Sequence, residues 1–153
     1  LEALLAFTTK GPQQNPSPLP YLQEDNPSHY DIHLEVELAT ENSPGHKLCR
    51  TNAKYLYWSM AQQLAHHTIT GCNVSTGDLM ASGTISGPEP KSYGSLLELS
   101  WNGTKPIKLN PNIERQFLQD HDTVTKKGWC ENQNYRIGFG EVTGKILPAH
   151  SHQ

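Results

Sequence analysis

A strict alternation of apolar and polar residues runs through residues 30–39 (YDIHLEVELA) and restricts the fold more than any other feature of the sequence. The apolar members Ile32, Leu34, Val36 and Leu38 fall on one face, and charged or polar residues separate them. A side-chain period of two is that of a β-strand and not that of a helix. The segment therefore predicts a half-buried strand with one solvent-facing side, followed by a turn or loop over residues 40–46 (TENSPGH).

A helical period is convincing in one place only, residues 51–67 (TNAKYLYWSMAQQLAHH). Leu56, Met60 and Leu64 recur every four residues and form an apolar stripe. Thr51 or Asn52 can cap the N-terminus of this helix, because both side chains carry an oxygen that accepts a backbone N–H.

The rest of the chain is dominated by strand and turn signals. Five of the 11 prolines lie within residues 8–29, which predicts an extended crossing that docks on the surface and joins no sheet. An Asn-Gly pair at residues 102–103 predicts a two-residue hairpin turn. Short apolar runs read as strands at residues 78–82, 96–101, 106–109, 123–130 and 135–147. The predicted fold class is mainly β with one helix, in a sandwich or roll.

Composition excludes several classes of protein. The chain has 153 residues, which favours one domain or part of a larger one, and its net charge is −3. No excess of Lys and Arg is present to neutralise phosphates, so we expect neither a nucleic-acid nor a membrane partner. Three cysteines without a CxxC pair indicate reduced thiols, and no signal peptide or membrane span is evident. We therefore expect a cytoplasmic protein, and the leucine at position 1 suggests a piece of a longer chain.

Two residues stand out as candidates for chemistry. Thr84 lies in a segment, residues 76–87, with glycines at positions 77, 83 and 87, and its hydroxyl and backbone N–H suit a carboxylate. By spacing alone this segment is more often a plain turn. Glu98 lies among apolar residues in LLELSW, where it is either a solvent-facing strand residue or a buried carboxylate that orients a histidine.

Two other pairs of residues invite a metal interpretation that their spacing does not favour. His66 and His67 are adjacent on the predicted helix and point about 100° apart, so they cannot easily bind one ion. Glu35 and Glu37 share one face of the predicted strand and could suit a hard cation such as Ca²⁺. On a wet face, however, such glutamates are more often solvated.

Several longer strings resemble a known family along almost the whole chain. The glycine-rich string TGDLMASGTISGPEP is preceded by LAHHTITGCN and followed by YGSLLELSWNGTKPI. Further matching strings are LPYLQ, NAKYLYWSMAQQL and YRIGFGEVTGKILPA. Together they resemble the fumarylacetoacetate hydrolase family. The GD…GT…G core alone indicates the wider superfamily, whereas SGTISGPEP and HHTITGCN resemble its branch in tyrosine and phenylalanine breakdown.

The resemblance implies a fold, an activity and an assembly. The family's catalytic domain is a β-rich roll behind a smaller N-terminal domain, and its members are homodimers. They hydrolyse a carbon–carbon bond of fumarylacetoacetate to give fumarate and acetoacetate. Bound Ca²⁺ or Mg²⁺ holds the substrate oxygens, and a histidine held by a glutamate activates water.

The resemblance also assigns roles to the two candidate residues. Thr84 is similar to the threonine that binds the substrate's carboxylate, and Glu98 is similar to the glutamate that orients the catalytic histidine. The family's metal ligands, its base histidine and its charge-stabilising lysine and arginine match nothing here, because they lie upstream of the region that this chain resembles. Glu35 and Glu37 are not the family's metal-binding pair.

We therefore expect residues 1–153 to form the C-terminal part of the catalytic domain. The N-terminal domain and the metal-binding half are expected to be absent, and the chain alone is expected to be inactive. Two alternatives stay open. The intact protein is an acylpyruvate or other diketo-acid hydrolase of the same superfamily, or the chain is a non-catalytic β-rich binding module.

Overall fold

A computed structural model describes residues 2–25 and 28–150. Sheet predominates among these residues, which confirms the predicted mainly β fold class. The strands are β1 (Thr8–Lys10), β2 (Ser28–Tyr30), β3 (His33–Thr40), β4 (Ser43–Asn52), β5 (Ile107–Asn110), β6 (Ile113–Arg115), β7 (Thr123–Glu131) and β8 (Arg136–Lys145). The α-helices are α1 (Met60–Thr68) and α2 (Leu96–Leu99), and 3-10 turns span Glu2–Phe7, Pro20–Leu22, Ala53–Tyr55 and Pro90–Ser92.

The principal sheet has four antiparallel strands in the order β4-β3-β7-β8. The predicted strand at residues 30–39 is confirmed as β3, in the interior of this sheet. Leu38 on its apolar face is fully buried, and Leu34 and Val36 are partly buried. The two strands predicted near residues 123–130 and 135–147 are confirmed as β7 and β8.

The expectation of a solvated Glu35 is wrong. Glu35 is 6% exposed, and its carboxylate lies 3.0 Å from the Lys47 ammonium on β4. Strand β4 carries no alternation of its own and includes Pro44, yet it pairs with β3 along most of its length as an edge strand, where a missing N–H is tolerated. The predicted loop at residues 40–46 is therefore only a tight turn at residues 41–42.

The predicted helix at residues 51–67 begins too early. Thr51 and Asn52 end β4, and Asn52 caps the 3-10 turn Ala53–Tyr55 by accepting from the N–H of Lys54. Helix α1 begins at Met60, where Ser59 and Gln62 cap it reciprocally: Ser59 Oγ accepts from the Gln62 N–H, and Gln62 Oε1 accepts from the Ser59 N–H. Two reciprocal bonds satisfy donors that otherwise lack partners at a helix start.

Three predicted elements in the second half of the chain are also wrong. Residues 78–82 form no strand, and residues 96–101 begin as helix α2. Asn102 and Gly103 lie in the turn that follows α2, with φ of 54° and 78°, so they do not connect two strands of a hairpin. The predicted strand at residues 106–109 is present as β5, which pairs with β6.

The proline-rich crossing is packed, as predicted, but it is not free of sheet. Thr8–Lys10 pairs antiparallel with Ser28–Tyr30 at the two ends of the crossing, which contradicts the expectation that these residues join no sheet. Leu22, which lies between these two strands in the sequence, is buried. The side-chain amide of Gln62 donates to the backbone carbonyl of Leu22 over 2.7 Å.

A buried cluster joins the N-terminal turn to the principal sheet. Its buried members are Phe7, Ile32, Ala53 and Cys130, and Ile85 packs against them. Ile85 thus ties one end of the glycine-rich segment to the core. Among the described residues, no helix is long and apolar enough to cross a membrane.

Candidate functional site

Glu98 is held by two serine hydroxyls at the start of helix α2. Ser86 Oγ lies 2.8 Å from each carboxylate oxygen, and Ser95 Oγ donates to Oε2 over 2.9 Å. Ser95 also caps the helix, because its Oγ accepts from the Glu98 N–H at 3.3 Å. Glu98 is partly buried, and the two serines fix the orientation of its carboxylate.

The glycine-rich segment reaches Glu98 through a hydrogen-bonded loop. Ser86 Oγ accepts from the N–H of Gly94 over 3.0 Å while its hydroxyl donates to Glu98. The N–H of Gly87 donates to the carbonyl of Ser92 over 2.9 Å. A side chain at position 94 would overlap the backbone of Ile85 and the methyl of Thr84, so the close contact between the two ends of the loop requires glycine at position 94.

Thr84 lies at the exposed end of the same loop. Gly83 before it has φ of +80°, a conformation that glycine adopts without strain, and Thr84 itself is exposed. Residues 71–84 are exposed throughout, with the side chain of Leu79 97% exposed. The structure therefore brings Thr84 and Glu98 onto one loop system, with Ser86 and Gly94 between them.

The sheet next to Glu98 is apolar. A cavity of about 500 Å³ separates helix α2 from β3, β4 and β7, and Val36, Cys49, Leu96, Leu99 and Phe117 are among the residues that line it. Burial raises the pKa of the Cys49 thiol, and the negative charge of nearby Glu98 raises it further. Lys126 is the charged side chain in the wall of this cavity, and Glu98 follows Ser95 and Leu96 of the same wall along the chain.

Sequence reasoning did not identify the two serines. Ser95 could have been found, because Ser-x-x-Glu at residues 95–98 is the pattern of a helix N-terminus. Ser86 offered no local signal, since it lies 12 residues from Glu98 and only the loop brings them together. The histidine that the sequence suggested as a partner for Glu98 is not among the hydrogen-bonding partners found in residues 2–25 and 28–150; these are Ser86 and Ser95.

The described residues do not fit the Ca²⁺ or Mg²⁺ that the family resemblance implies. Over residues 2–25 and 28–150, no three side chains of His, Cys, Asp or Glu are grouped so that they could hold a metal ion. Glu35 pairs with Lys47, and Glu37 lies 3.1 Å from the Lys127 ammonium. An oxygen ligand set for a hard cation is therefore not formed by this pair.

The two adjacent histidines contact different groups. His66 Nδ1 lies 3.0 Å from the hydroxyl of Tyr21, whereas His67 Nε2 lies 3.4 Å from Cys72 Sγ. The two rings thus serve separate contacts on either side of the C-terminal end of α1.

Comparison with known proteins matches the chain to a family model over residues 10–146; the model is described as fumarylacetoacetate (FAA) hydrolase C-terminal. The fumarylacetoacetase of Homo sapiens is 53% identical over 150 residues, which are 97% of this chain and 36% of that protein. The fumarylacetoacetase of Dictyostelium discoideum is 50% identical over 156 residues, 100% of this chain and 36% of that protein. The protein of the same name from Arabidopsis thaliana is 51% identical over 150 residues, 97% of this chain and 35% of that protein.

The chain thus spans about a third of the length of the curated relatives it matches, 35–36% in these three comparisons. The family model covers most of the chain, including the loop of Thr84, the serines and Glu98. The chain therefore belongs to the fumarylacetoacetate hydrolase family.

Proposed function

We propose that the complete protein containing this chain is a fumarylacetoacetase. It hydrolyses the carbon–carbon bond between the fumaryl carbonyl carbon and the adjacent methylene carbon of 4-fumarylacetoacetate and releases fumarate and acetoacetate. This proposal rests on family membership and on relatives that carry this name at about half identity. In it, residues 1–153 are the C-terminal part of the catalytic domain, and the intact enzyme is a cytoplasmic homodimer that uses Ca²⁺ or Mg²⁺.

The acceptor capacity of Glu98 is the observation that carries the site assignment. A carboxylate has about four acceptor positions. Ser86 and Ser95 each have one hydroxyl proton, and Ser86 shares its proton between the two oxygens. These bonds therefore occupy at most one position on Oε1 and two on Oε2, so Oε1 retains a position for one further donor. An imidazole N–H placed there would be fixed in its tautomer, and its protonated form would be stabilised by the carboxylate charge. Glu98 is then a positioning residue for a general base.

Thr84 supports substrate binding in the same proposal. Its side chain is exposed on the loop that ends at Glu98, and a threonine hydroxyl can donate to a carboxylate. A substrate carboxylate bound there would lie on the same loop system as the group that Glu98 positions. Because the described residues form no metal site, no step of this proposal passes through a metal held by them.

Glu98→Gln in the complete protein tests the role of Glu98. The amide keeps an oxygen for the serine hydroxyls but loses the charge that stabilises an imidazolium. We expect kcat to fall by about 10²-fold or more, within the range that general acid–base catalysis supplies, and KM to change much less. The acidic limb of the pH–rate profile should shift as well. Glu114→Gln is the matched control, because Glu114 is exposed on β6.

Thr84→Val tests the substrate-binding role, with exposed Thr70→Val as control. Loss of a hydroxyl that binds substrate should raise KM for fumarylacetoacetate while thermal stability is unchanged.

Assays of the complete protein on an acylpyruvate beside fumarylacetoacetate distinguish a fumarylacetoacetase from the related diketo-acid hydrolase. Absence of turnover of either substrate by the complete protein would favour a non-catalytic module.

A further inference from the structure

Trp129 lies beneath two arginine side chains on the charged face of the principal sheet. The guanidinium carbon of Arg50 is 5.3 Å from the centroid of the indole, and that of Arg136 is 4.9 Å from it. His33, opposite Trp129 on β3, stacks beside the same ring at 5.4 Å. Three strands, β4, β7 and β8, thus bring two cations to one aromatic side chain.

The other cations on this face already have carboxylate partners. Lys47 pairs with Glu35, and Lys127 lies 3.1 Å from Glu37 and 3.3 Å from Glu141. Within the described part of the chain, neither Arg50 nor Arg136 has a carboxylate within 4.0 Å. Cation–π contact favours each arginine singly, but no ion pair within 4.0 Å neutralises either guanidinium in the described residues.

The indole of Trp129 adds a donor without an acceptor. Trp129 is 7% exposed, and among the described residues its Nε1 is buried with no hydrogen-bond partner. Trp129, Arg50 and Arg136 all line one cavity of about 450 Å³. Its wall also includes the paired cations Lys47 and Lys127 and three glutamates, Glu35, Glu131 and Glu141.

We propose that this cavity binds a small phosphate-type oxyanion. Each guanidinium can donate two parallel hydrogen bonds to such a group. A carboxylate has only two oxygens, which a single guanidinium fork engages, whereas a tetrahedral anion presents enough oxygens for both forks. The cavity is on the face of the sheet opposite Cys49 and Glu98, so the inference does not depend on the proposed hydrolase activity.

Glu131 provides an internal check of this inference. It lines the cavity beside Arg136, its neighbour in register, but has no ammonium or guanidinium within 4.0 Å in the described residues. Its negative charge opposes an incoming anion. Neutralising Glu131 should therefore strengthen binding, whereas neutralising either arginine should weaken it.

Calorimetric titration of the complete protein with inorganic phosphate, in buffer free of divalent cations, tests the proposal. We expect saturable binding of one phosphate per chain, weakened at least about tenfold by Arg50→Gln or Arg136→Gln. Glu131→Gln should tighten it. Lys108→Gln is the control, because its ammonium is exposed on β5. Thermal unfolding of each variant checks that the fold is kept.

The proposal is overturned if phosphate shows no saturable binding, or if folded arginine variants bind it as the parent does. If the arginine variants do not fold, Glu131→Gln decides, since it leaves both guanidiniums in place; unchanged or weaker binding then counts against the site. Titration with acetate separates phosphate from carboxylate chemistry. Tighter binding of acetate would contradict the phosphate assignment.

Discussion

Ser86 Oγ lies 2.8 Å from both carboxylate oxygens of Glu98, so one hydroxyl joins the glycine-rich loop to the first turn of α2. The same Oγ accepts from the Gly94 N–H, and this makes Ser86 the junction between the loop and the helix. The position of Glu98 therefore depends on a residue whose importance is not visible locally in the sequence.

Ser86→Ala should loosen Glu98 and leave the Gly94 N–H without its acceptor. A hydrogen bond to a charged group contributes about 1.5–3 kcal/mol, so we expect a loss near the lower end of this range in a partly exposed site. Urea unfolding measures the loss, and kcat in the complete protein should fall with it. Ser82→Ala is the control, because Ser82 Oγ donates only to the adjacent Gly83 carbonyl. Equal effects of the two substitutions would contradict the junction role.

Gly11→Ala should destabilise the protein because position 11 touches a buried ring. A Cβ there would overlap the imidazole of His29, which is 4% exposed and cannot move aside freely. Overpacking of this kind costs about 1–3 kcal/mol. Gly144→Ala on β8 is a matched control, since a Cβ at position 144 meets nothing within 4 Å. A melting temperature lowered equally in both variants would show that loss of glycine itself, and not contact with His29, is responsible.

Asp122→Asn should remove a buried ion pair. Asp122 is 1% exposed, and its two oxygens accept from Arg115 Nε and Nη2, each over 2.9 Å. Breaking such a pair from one side costs about 3–5 kcal/mol, because the remaining charge is left without compensation. Asp120→Asn, at an exposed neighbour, should cost less than about 0.5 kcal/mol in the same denaturant titration.

The pH dependence of stability gives an independent check on Asp122. Burial acts to raise its pKa, but the hydrogen bonds and charge of Arg115 and the N–H of Gln119 outweigh burial, so the pKa is lowered. A carboxyl with a lowered pKa stabilises the fold above its unfolded-state pKa, about 3.9, and this stabilisation is lost as the pH falls below that value. The difference in stability between parent and Asp122→Asn should thus be constant near neutrality and shrink below about pH 4. A difference that grows on acidification would contradict the lowered pKa.

The three cysteines should differ in reactivity. Burial raises the pKa of Cys49 and of Cys130, which are 4% and 0% exposed, and both shifts disfavour the reactive thiolate. Cys72 is exposed. Brief alkylation of the folded protein at pH 8, followed by peptide mass spectrometry, should label Cys72 at least about tenfold faster than the other two. All three should react alike in denaturant, and Cys72→Ser should abolish the fast phase; rapid labelling of Cys130 would contradict the fold at β7.

Local patterns in the sequence were enough to predict the elements whose signals are confined to neighbouring residues. Alternation over residues 30–39 predicted β3, and the apolar runs at the end of the chain predicted β7 and β8. The strings around Thr84 and Glu98 likewise identified the family that the comparison shows. Each of these signals is carried by side chains within one strand or one loop.

The errors arose where two local interpretations competed. The weak alternation in LLELSW favours a strand. Ser95, however, caps the backbone and starts a helical turn in which Leu96 and Leu99 both line the apolar cavity. Residues 51–67 were predicted as one helix, although Thr51 and Asn52 pair with β3 and end an edge strand. Pairing with β3, the preceding strand of the same hairpin, outweighed the helical pattern at this point.

The sequence by itself therefore determined the class of fold, the central strand and the family. Only the tertiary structure decided that Glu35 is buried beside Lys47, that Ser86 holds Glu98, and that Trp129 lies under Arg50 and Arg136. The physical reason is the separation along the chain. Side-chain periodicity and capping act over a few residues. Three of these contacts join groups 12 or more residues apart, and the fourth, between Trp129 and Arg136, crosses the β7–β8 hairpin, so all of them exist only once strand register and loop path are set.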